Sequence, residues 1–145
     1  ITKCIEQGHM EEANRLLGSP FCMEGKVIHG KKRGTDMGFP TANVQVSDEY
    51  IIPKNGVYAG KIHVGRQSYG CMINIGLNPT FHDVDAISLE ANIFDFHEDI
   101  YGQVVSVDFL KFIRPEKQFR SKSNLVMQLE QDKRTIQKYF EEGVL

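Results

Sequence analysis

The feature that most limits the fold of this chain is a succession of short strand-like segments that begins at residue 23. Most of them are rich in Val, Ile and Phe, and they are separated by Gly, Pro, Asn and Asp, residues that favour turns. The Gly65-Arg66 pair between two of these segments suits a type II′ hairpin turn. The strand candidates are 23–29, 56–64, 67–75, 86–94 and 103–113.

Helical periodicity is confined to the two ends of the chain. Residues 1–22 carry apolar side chains at helical spacing, at Met10, Ala13, Leu16 and Leu17. A second helix is predicted from about Ser123 to Phe140, with a packing face formed by Leu125, Leu129, Ile136 and Tyr139 around Asp132. Five or six strands followed by one helix predict a mainly β fold: a small, closed or nearly closed antiparallel barrel behind a short helical linker.

Composition argues against several classes of protein. A formal net charge of −2 over 145 residues argues against a nucleic-acid binder, which usually carries a basic excess. No apolar run approaches the roughly 20 residues needed to span a bilayer, and no signal peptide is visible, so we expect a cytoplasmic protein without a membrane partner. The scattered Cys4, Cys22 and Cys71 favour free thiols over a disulfide framework or a zinc site.

A glycine-rich, basic stretch at residues 29–43 is the first candidate for chemistry. Glycine lets the backbone approach a bound group closely and turn its N–H groups toward an anion, and basic side chains add positive charge. A solvated surface loop has the same composition, and a lone glycine-rich loop is a weak signal. No GxxxxGK[ST] phosphate loop is present, so a standard P-loop kinase is not expected.

This stretch ends in Pro40-Thr41-Ala42-Asn43. Pro40 restricts itself and the preceding residue to extended geometry, so that Thr41 and Asn43 project to the same side if the chain stays extended. A hydroxyl and an amide oxygen can coordinate a hard cation such as Mg²⁺, although neutral oxygens would need nucleotide phosphates to complete the site. The alternative is a turn whose Thr and Asn satisfy local backbone groups.

Glu90 is a carboxylate in the middle of the strand predicted at 86–94, where acidic residues are disfavoured. Its neighbours Leu89 and Ala91 fall on the opposite, apolar face of that strand. A solvent-facing glutamate is the ordinary explanation. The functional alternative is a general base, which must lie within hydrogen-bond reach of a hydroxyl.

Several segments of the chain together resemble the riboflavin kinase family. The run GKVIHGKKRGTDMGFPTANV at 25–44 is similar to the family's nucleotide-binding signature. Four later segments agree in order: NGVYAG at 55–60, INIGLNPTF at 73–81, LEANIFDF at 89–96 with DIYG at 99–102, and RPEKQF at 114–119. The resemblance covers nearly all of residues 23–145.

The resemblance implies a fold and a reaction. The fold is a six-stranded antiparallel Greek-key barrel with a C-terminal helix. The reaction is the Mg²⁺-dependent transfer of the ATP γ-phosphate to the terminal ribityl hydroxyl of riboflavin, which yields FMN and ADP.

The resemblance also implies roles for individual residues. Thr41 and Asn43 match the magnesium and ATP-phosphate ligands, and Glu90 matches the catalytic base that contacts riboflavin. The segment around Arg114 matches a mobile loop near the flavin, which makes Arg114 and Phe119 candidate riboflavin contacts. The glycine-rich flap over ATP supplies the remaining candidate phosphate contacts: Gly30, Lys31, Arg33, Gly34, Gly38 and Pro40.

Two departures from the family pattern leave affinity and substrate preference open. Asn92 stands where a histidine is common, and Thr35-Asp36-Met37 replaces a more usual basic and leucine-containing version of the flap.

Residues 1–22 look like the linker before the kinase module in bacterial bifunctional riboflavin kinase/FMN adenylyltransferases. We therefore expect 1–22 to be a linker, 23–145 to be the kinase domain, and a covalently linked FMN adenylyltransferase domain to exist in the full-length protein.

Two other classes compete with an active kinase. The first is a non-catalytic regulator that binds flavin or nucleotide, against which an intact Thr41, Asn43 and Glu90 set argues. The second is an oligonucleotide-binding barrel, which the small-barrel architecture alone would permit and which the acidic balance disfavours.

Overall fold

The structure, a computed structural model, describes residues 1–28, 41–46, 51–77, 87–96 and 98–142. Within these ranges no helix is long and apolar enough to cross a bilayer. The helices are α1 (Thr2–Glu6), α2 (Met10–Leu17) and α3 (Lys122–Glu141). The strands are β1 (Phe21–Ile28), β2 (Thr41–Val46), β3 (Gly56–Val64), β4 (Gln67–Leu77), β5 (Ile87–Ile93) and β6 (Val104–Arg114).

The six strands close into one barrel in the order β1-β2-β5-β4-β3-β6, and every neighbouring pair is antiparallel. The predicted six-stranded antiparallel barrel is therefore confirmed. The strand β5 lies between β2 and β4 although β3 and β4 separate it from β2 in sequence. This crossover is typical of Greek-key connections.

Most element boundaries agree with the sequence prediction, with two differences. The β3–β4 hairpin turns at Gly65, whose positive φ of 60° fits the predicted type II′ turn, and α3 is within one residue of its predicted bounds. The strand β1 begins at Phe21, so the last two residues of the predicted helical linker pair with β6 instead. The strand β2 was not predicted as a separate strand, because the glycine-punctuated residues before it lack strand periodicity.

The core fills the inside of the barrel. Alternate residues of each strand point inward, which buries Leu89, Ala91 and Ile93 of β5 and leaves Glu90 on the outer face. The aromatic rings of Tyr58 and Phe109 meet edge to face inside, with centroids 5.1 Å apart.

A second apolar cluster lies outside the barrel, under α3. It consists of buried side chains from β3, β4, the residue after β5 and the helix: Val57, Ala59, Met72, Phe94 and Ile136. The helix begins at an N-cap, Ser121, whose hydroxyl accepts a hydrogen bond from the backbone N–H of Asn124 at 3.2 Å. As predicted, α3 packs its apolar face on the sheet, and it covers the outer face of β3 and β4.

The N-terminal helices pack against β1 and β6, and their buried side chains join the core inside the barrel. Asn14 of α2 donates to the Phe109 carbonyl and accepts from the Phe21 N–H, both at 2.7 Å. Together with the buried Met10 and Ala13, these bonds attach the predicted linker to β1 and β6.

Candidate active site on the outer face of the barrel

Strand register brings the predicted catalytic and metal-binding residues together. Asn43 of β2 pairs directly with Glu90 of β5, and Thr41 pairs with Asn92. On its other side Glu90 pairs with Asn74 of β4. Direct cross-strand partners on one face have Cβ atoms about 4.5–5.5 Å apart. Glu90 therefore lies beside Thr41 and Asn43 on the same face of the sheet.

The hydroxyl of Thr41 is oriented by its neighbour. Its Oγ1 donates a hydrogen bond of 2.7 Å to Oδ1 of Asn92, which is 8% exposed. Because the single proton of the hydroxyl points at Asn92, the lone pairs of Oγ1 face other directions and can coordinate a cation or accept a hydrogen bond. Asn92 is thus a part of the site that the sequence analysis noted only as a departure from the family pattern.

The oxygen ligands at this site fit a hard cation. Thr41 offers a hydroxyl oxygen and Asn43 an amide oxygen, with the Glu90 carboxylate one strand away. Within the described residues, no three His, Cys, Asp or Glu side chains form a cluster that could hold a metal by themselves. These residues therefore fit a magnesium ion that shares its coordination with phosphates, and they do not fit a self-sufficient protein cage.

Asn74 carries an acceptor that lacks a partner. Its Oδ1 is buried and makes no hydrogen bond within the part of the chain that the structure describes. A buried unpaired acceptor costs about 1–3 kcal/mol, and native proteins keep few of them. Since Asn74 pairs with Glu90 across the sheet, a donor supplied by a bound molecule would satisfy it next to the candidate base.

Arg114, a predicted riboflavin contact, is engaged in an ion pair. Its Nε and Nη2 donate to the carboxylate of Asp132 at 2.8–3.1 Å, and its Nη1 donates to the Pro115 carbonyl at 3.1 Å. Asp132 is 2% exposed and also accepts from Gln128. This bidentate pair joins the end of β6 to α3, and the contact of Arg114 with riboflavin stays a prediction.

Phe119, the second predicted flavin contact, lies 5.9 Å from the Arg114 guanidinium carbon and lines an open groove of about 890 Å³. The groove runs between residues 117–120 and one face of α3. Its charged lining carries four basic side chains, Lys117, Arg120, Arg134 and Lys138, against one acidic side chain, Glu130. A ring face beside a basic groove suits a planar, electron-poor or anionic group.

Exposed apolar side chains lie on β1 beside Asn43 and on the segment that leads into β6. Ile28 pairs with Asn43 across β1 and β2, and it is 37% exposed. Tyr101 is 55% exposed and Val104 is 62% exposed. The N–H of Gly102 donates to the carbonyl of Val27, which keeps the turn before β6 beside β1.

Some of the predicted contacts lie outside the described residues. These are the flap residues Gly30, Lys31, Arg33, Gly34, Gly38 and Pro40. Their assignment to ATP remains a prediction.

The structure adds three residues that the sequence analysis did not assign to the site: Asn74, Asn92 and Asp132. Asn92 was findable, because it is two residues from Glu90 and therefore shares its face. The roles of Asn74 and Asp132 depend on their contacts with Glu90 and Arg114. These contacts join segments that are distant in sequence, so composition and periodicity do not reveal them.

Most of the chain matches one protein-family model. Residues 17–140 match the family model described as riboflavin kinase, or flavokinase. Two relatives are described as bifunctional riboflavin kinase/FMN adenylyltransferases. The protein from Listeria monocytogenes is 46% identical over 140 residues, and that from Bacillus subtilis is 42% identical over 142 residues. Each alignment covers 97% of this chain and 45% of the relative, so the chain spans less than half the length of these relatives.

Two solved structures are similar to the fold. A protein described as a macrolide-efflux protein from Streptococcus pneumoniae has a TM-score of 0.89 and 40% identity, and the match covers 94% of this chain and 44% of that protein. Riboflavin kinase from Trypanosoma brucei has a TM-score of 0.61 and 27% identity, over 84% of this chain and 80% of that one.

Proposed function

This chain belongs to the riboflavin kinase family, and from that premise we propose how it phosphorylates riboflavin. Glu90 accepts the proton of the terminal ribityl hydroxyl, and Thr41 and Asn43 hold the phosphate-bound magnesium of ATP. The pairing of Asn43 with Glu90 across β2 and β5 is the observation that carries the proposal. It brings a candidate base and a candidate phosphate site within one strand spacing.

The transfer itself needs placement and charge neutralisation more than covalent help from the protein. As the hydroxyl oxygen of riboflavin attacks the γ-phosphorus, its proton passes to the Glu90 carboxylate. The bond between the γ-phosphorus and the β–γ bridging oxygen breaks, and ADP leaves with that oxygen. Glu90 is suited to this role because it projects from the middle of a rigid strand rather than from a loop.

The magnesium ion, when bound, neutralises charge on the transferred phosphoryl group. The chain's contribution is to present two oxygens at a fixed spacing. Thr41 and Asn43 alternate with the buried Ala42, so both side chains project from the same face of β2. The hydrogen bond from Thr41 to Asn92 fixes the direction of the hydroxyl proton, so a lone pair of Oγ1 and not the proton would meet the cation.

The apolar residues beside Asn43 offer a site for the base of the nucleotide. Ile28 exposes an aliphatic side chain next to Asn43, and Tyr101 and Val104 expose an aromatic and an aliphatic side chain on the segment on the other side of β1. Adenine is planar and apolar on its faces, and aromatic rings of this kind contribute about 1–3 kcal/mol by stacking.

The flavin is assigned to the α3 side of the site. Phe119 and the basic groove beside it suit the isoalloxazine ring, and the ribityl chain would have to reach from there to Glu90 on β5. Arg114 supports this wall through Asp132, and a direct contact between Arg114 and riboflavin remains part of the proposal.

The activity of the whole protein is also a proposal, because the chain covers less than half of its relatives. We infer that a linked FMN adenylyltransferase domain converts the FMN made here to FAD, and that both steps take place in the cytoplasm. ATP and riboflavin are the substrates, and no nucleic-acid or membrane partner is required.

The decisive experiment mixes this chain with riboflavin, ATP and Mg²⁺ and follows FMN and ADP by chromatography. We expect equimolar FMN and ADP, and no product when EDTA exceeds the metal. Riboflavin binding without FMN formation would instead identify the non-catalytic regulator. Salt-sensitive binding of an oligonucleotide without turnover would favour the nucleic-acid-binding barrel.

A further inference from the structure

The carboxylate of Glu116 reaches the outer face of the barrel in the space left by the missing side chain of Gly76. A Cβ atom built on Gly76 of β4 would lie 2.5 Å from Glu116 Oε1 and 3.4 Å from its Cδ. Glycine in a strand interior loses packing and conformational entropy, and it often marks the close approach of another group. Here the approaching group is a carboxylate on the segment between β6 and α3.

This carboxylate is held near the site by the ion pair already described. Arg114 is fixed by Asp132 and donates to the carbonyl of Pro115, the residue before Glu116. The backbone that carries Glu116 is therefore attached to both β6 and α3. Within the described residues, Glu116 itself makes no hydrogen bond or ion pair, although its oxygens lie against the strand.

The position of Gly76 relative to Glu90 follows from the register of β4 and β5. Asn74 pairs with Glu90, and Gly76 pairs with Ser88. Residues two apart on a strand share a face, so Gly76 is a diagonal neighbour of Glu90, at a distance of about 7–8 Å. A five-carbon chain with bonds of about 1.5 Å spans about 5–6 Å, so its hydroxyl groups would lie between these two positions.

From this geometry we infer that Glu116 determines specificity for the polyol chain of the flavin by accepting hydrogen bonds from its secondary hydroxyls. A carboxylate only accepts hydrogen bonds, and hydroxyl groups are its natural donors. The unpartnered Oδ1 of Asn74, between Glu90 and Gly76 on the same face, supplies a second acceptor along the path. This inference rests on the proposed function, since it assumes that the terminal hydroxyl lies at Glu90.

The test measures binding of two flavins to four forms of this chain by quenching of flavin fluorescence. One ligand is riboflavin, and the other is an analogue with a methyl group in place of the ribityl chain. The forms are wild type, Glu116→Ala, Gly76→Ala and a control, Glu141→Ala, which removes an exposed carboxylate near the end of α3. The Gly76→Ala change displaces only the flexible end of Glu116, so we expect the fold and the melting temperature to be retained.

We expect Glu116→Ala and Gly76→Ala each to weaken riboflavin binding by about 10- to 100-fold, the usual range for a lost hydrogen bond to a charged group. Affinity for the methyl analogue, the KM for ATP and the behaviour of Glu141→Ala should stay unchanged. Combining the two changes should add little, because both remove the same contact.

Two results would overturn the inference. One is riboflavin affinity within twofold of wild type in Glu116→Ala. The other is an equal loss of affinity for both flavins, which would mean that Glu116 only shapes the wall. Neither result affects the kinase proposal, which fails separately if the wild-type chain forms no FMN.

Discussion

At the scale of single residues, the position of Glu90 is set by the side chains around it rather than by its own chemistry. Leu89 and Ala91 are buried inside the barrel, which forces Glu90 to the outer face between Asn43 and Asn74. A one-residue shift of β5 would bury the carboxylate and expose the two apolar residues. The register of the sheet therefore protects the site, because such a shift would lose core burial.

Glu90→Gln should reduce turnover by roughly 10²–10⁴-fold, because the amide cannot accept the hydroxyl proton. The change keeps the shape of the side chain, so the affinities for ATP and riboflavin should remain within a few-fold of wild type. Steady-state kinetics with separate binding titrations would check both expectations. Near-normal turnover in this variant would remove Glu90 from the mechanism.

Asn43→Ala should raise the Mg²⁺ concentration for half-maximal rate by about 10-fold or more, since even residues one step removed from a metal usually matter that much. Thr41→Ala should act in the same direction. The matched control is Gln45→Ala, which changes an exposed residue two positions further along β2. Equal Mg²⁺ dependence in Asn43→Ala and Gln45→Ala would contradict the assignment of the metal site.

At the scale of secondary structure elements, α3 depends on a buried charge. Asp132 lies in the middle of its packing face, 2% exposed, and receives both Arg114 and Gln128. Removing one member of such a pair leaves the other as an unpaired charge that is largely buried from water. Replacing both members with apolar residues avoids that cost.

Asp132→Ala should therefore lower the free energy of unfolding by about 3 kcal/mol, measured by urea denaturation. The double variant Arg114→Met/Asp132→Leu should recover most of this loss. Because Arg114 also fixes the backbone before Glu116, the double variant should still bind riboflavin more weakly than wild type. A double variant as unstable as Asp132→Ala would mean that the ion pair contributes net stability of its own.

The elements marked by a turn signal or by regular spacing of apolar residues were predictable from sequence. The hairpin at Gly65, the alternation in β5 and the packing face of α3 each depend on residues close together in the chain. The strand β2 was not recognised, because its six residues follow a glycine-rich stretch. The Arg114–Asp132 pair was not predicted either, since it joins two residues whose distance depends on how α3 docks on the barrel.

The residues of the candidate site also divide into those that the sequence identified and those that it did not. Thr41, Asn43 and Glu90 were singled out from sequence by local geometry and family resemblance, and the barrel order then explains why they meet. Asn74 and Glu116 were not singled out, because an asparagine in a strand and a glutamate near a proline are ordinary. Their significance comes from what lies opposite them in three dimensions.

At the scale of the whole molecule, the closed barrel buries two ionisable side chains, Cys71 and Tyr58, in its interior. Burial raises the pKa of the Cys71 thiol and of the Tyr58 phenol, whose hydroxyl donates to the Lys54 carbonyl. Both groups are neutral in the fold and have higher pKa values there than in the unfolded chain. Their contribution to stability is complete below the unfolded thiol pKa of about 8.5 and is lost progressively at higher pH.

The free energy of unfolding should thus fall between about pH 8.5 and pH 10 by up to about 1.4 kcal/mol per pH unit for Cys71, and more steeply once the unfolded tyrosine ionises near pH 10. Urea denaturation at several pH values would measure the slope. Cys71→Ala should flatten it below pH 10, whereas Cys4→Ala, which removes a partly exposed thiol, serves as the control. The same slope in Cys71→Ala as in wild type would show that other groups cause the alkaline loss.

The crossover of β5 has a consequence for how the molecule acquires its activity. Glu90 faces Asn43 only after the chain has continued through an entire hairpin and returned to dock between two strands made earlier. Contacts between segments so distant along the chain form slowly, because a long loop must close first. During synthesis on the ribosome, the proposed magnesium ligands Thr41 and Asn43 are therefore made before the proposed base Glu90, and we expect activity only after β5 has docked between β2 and β4.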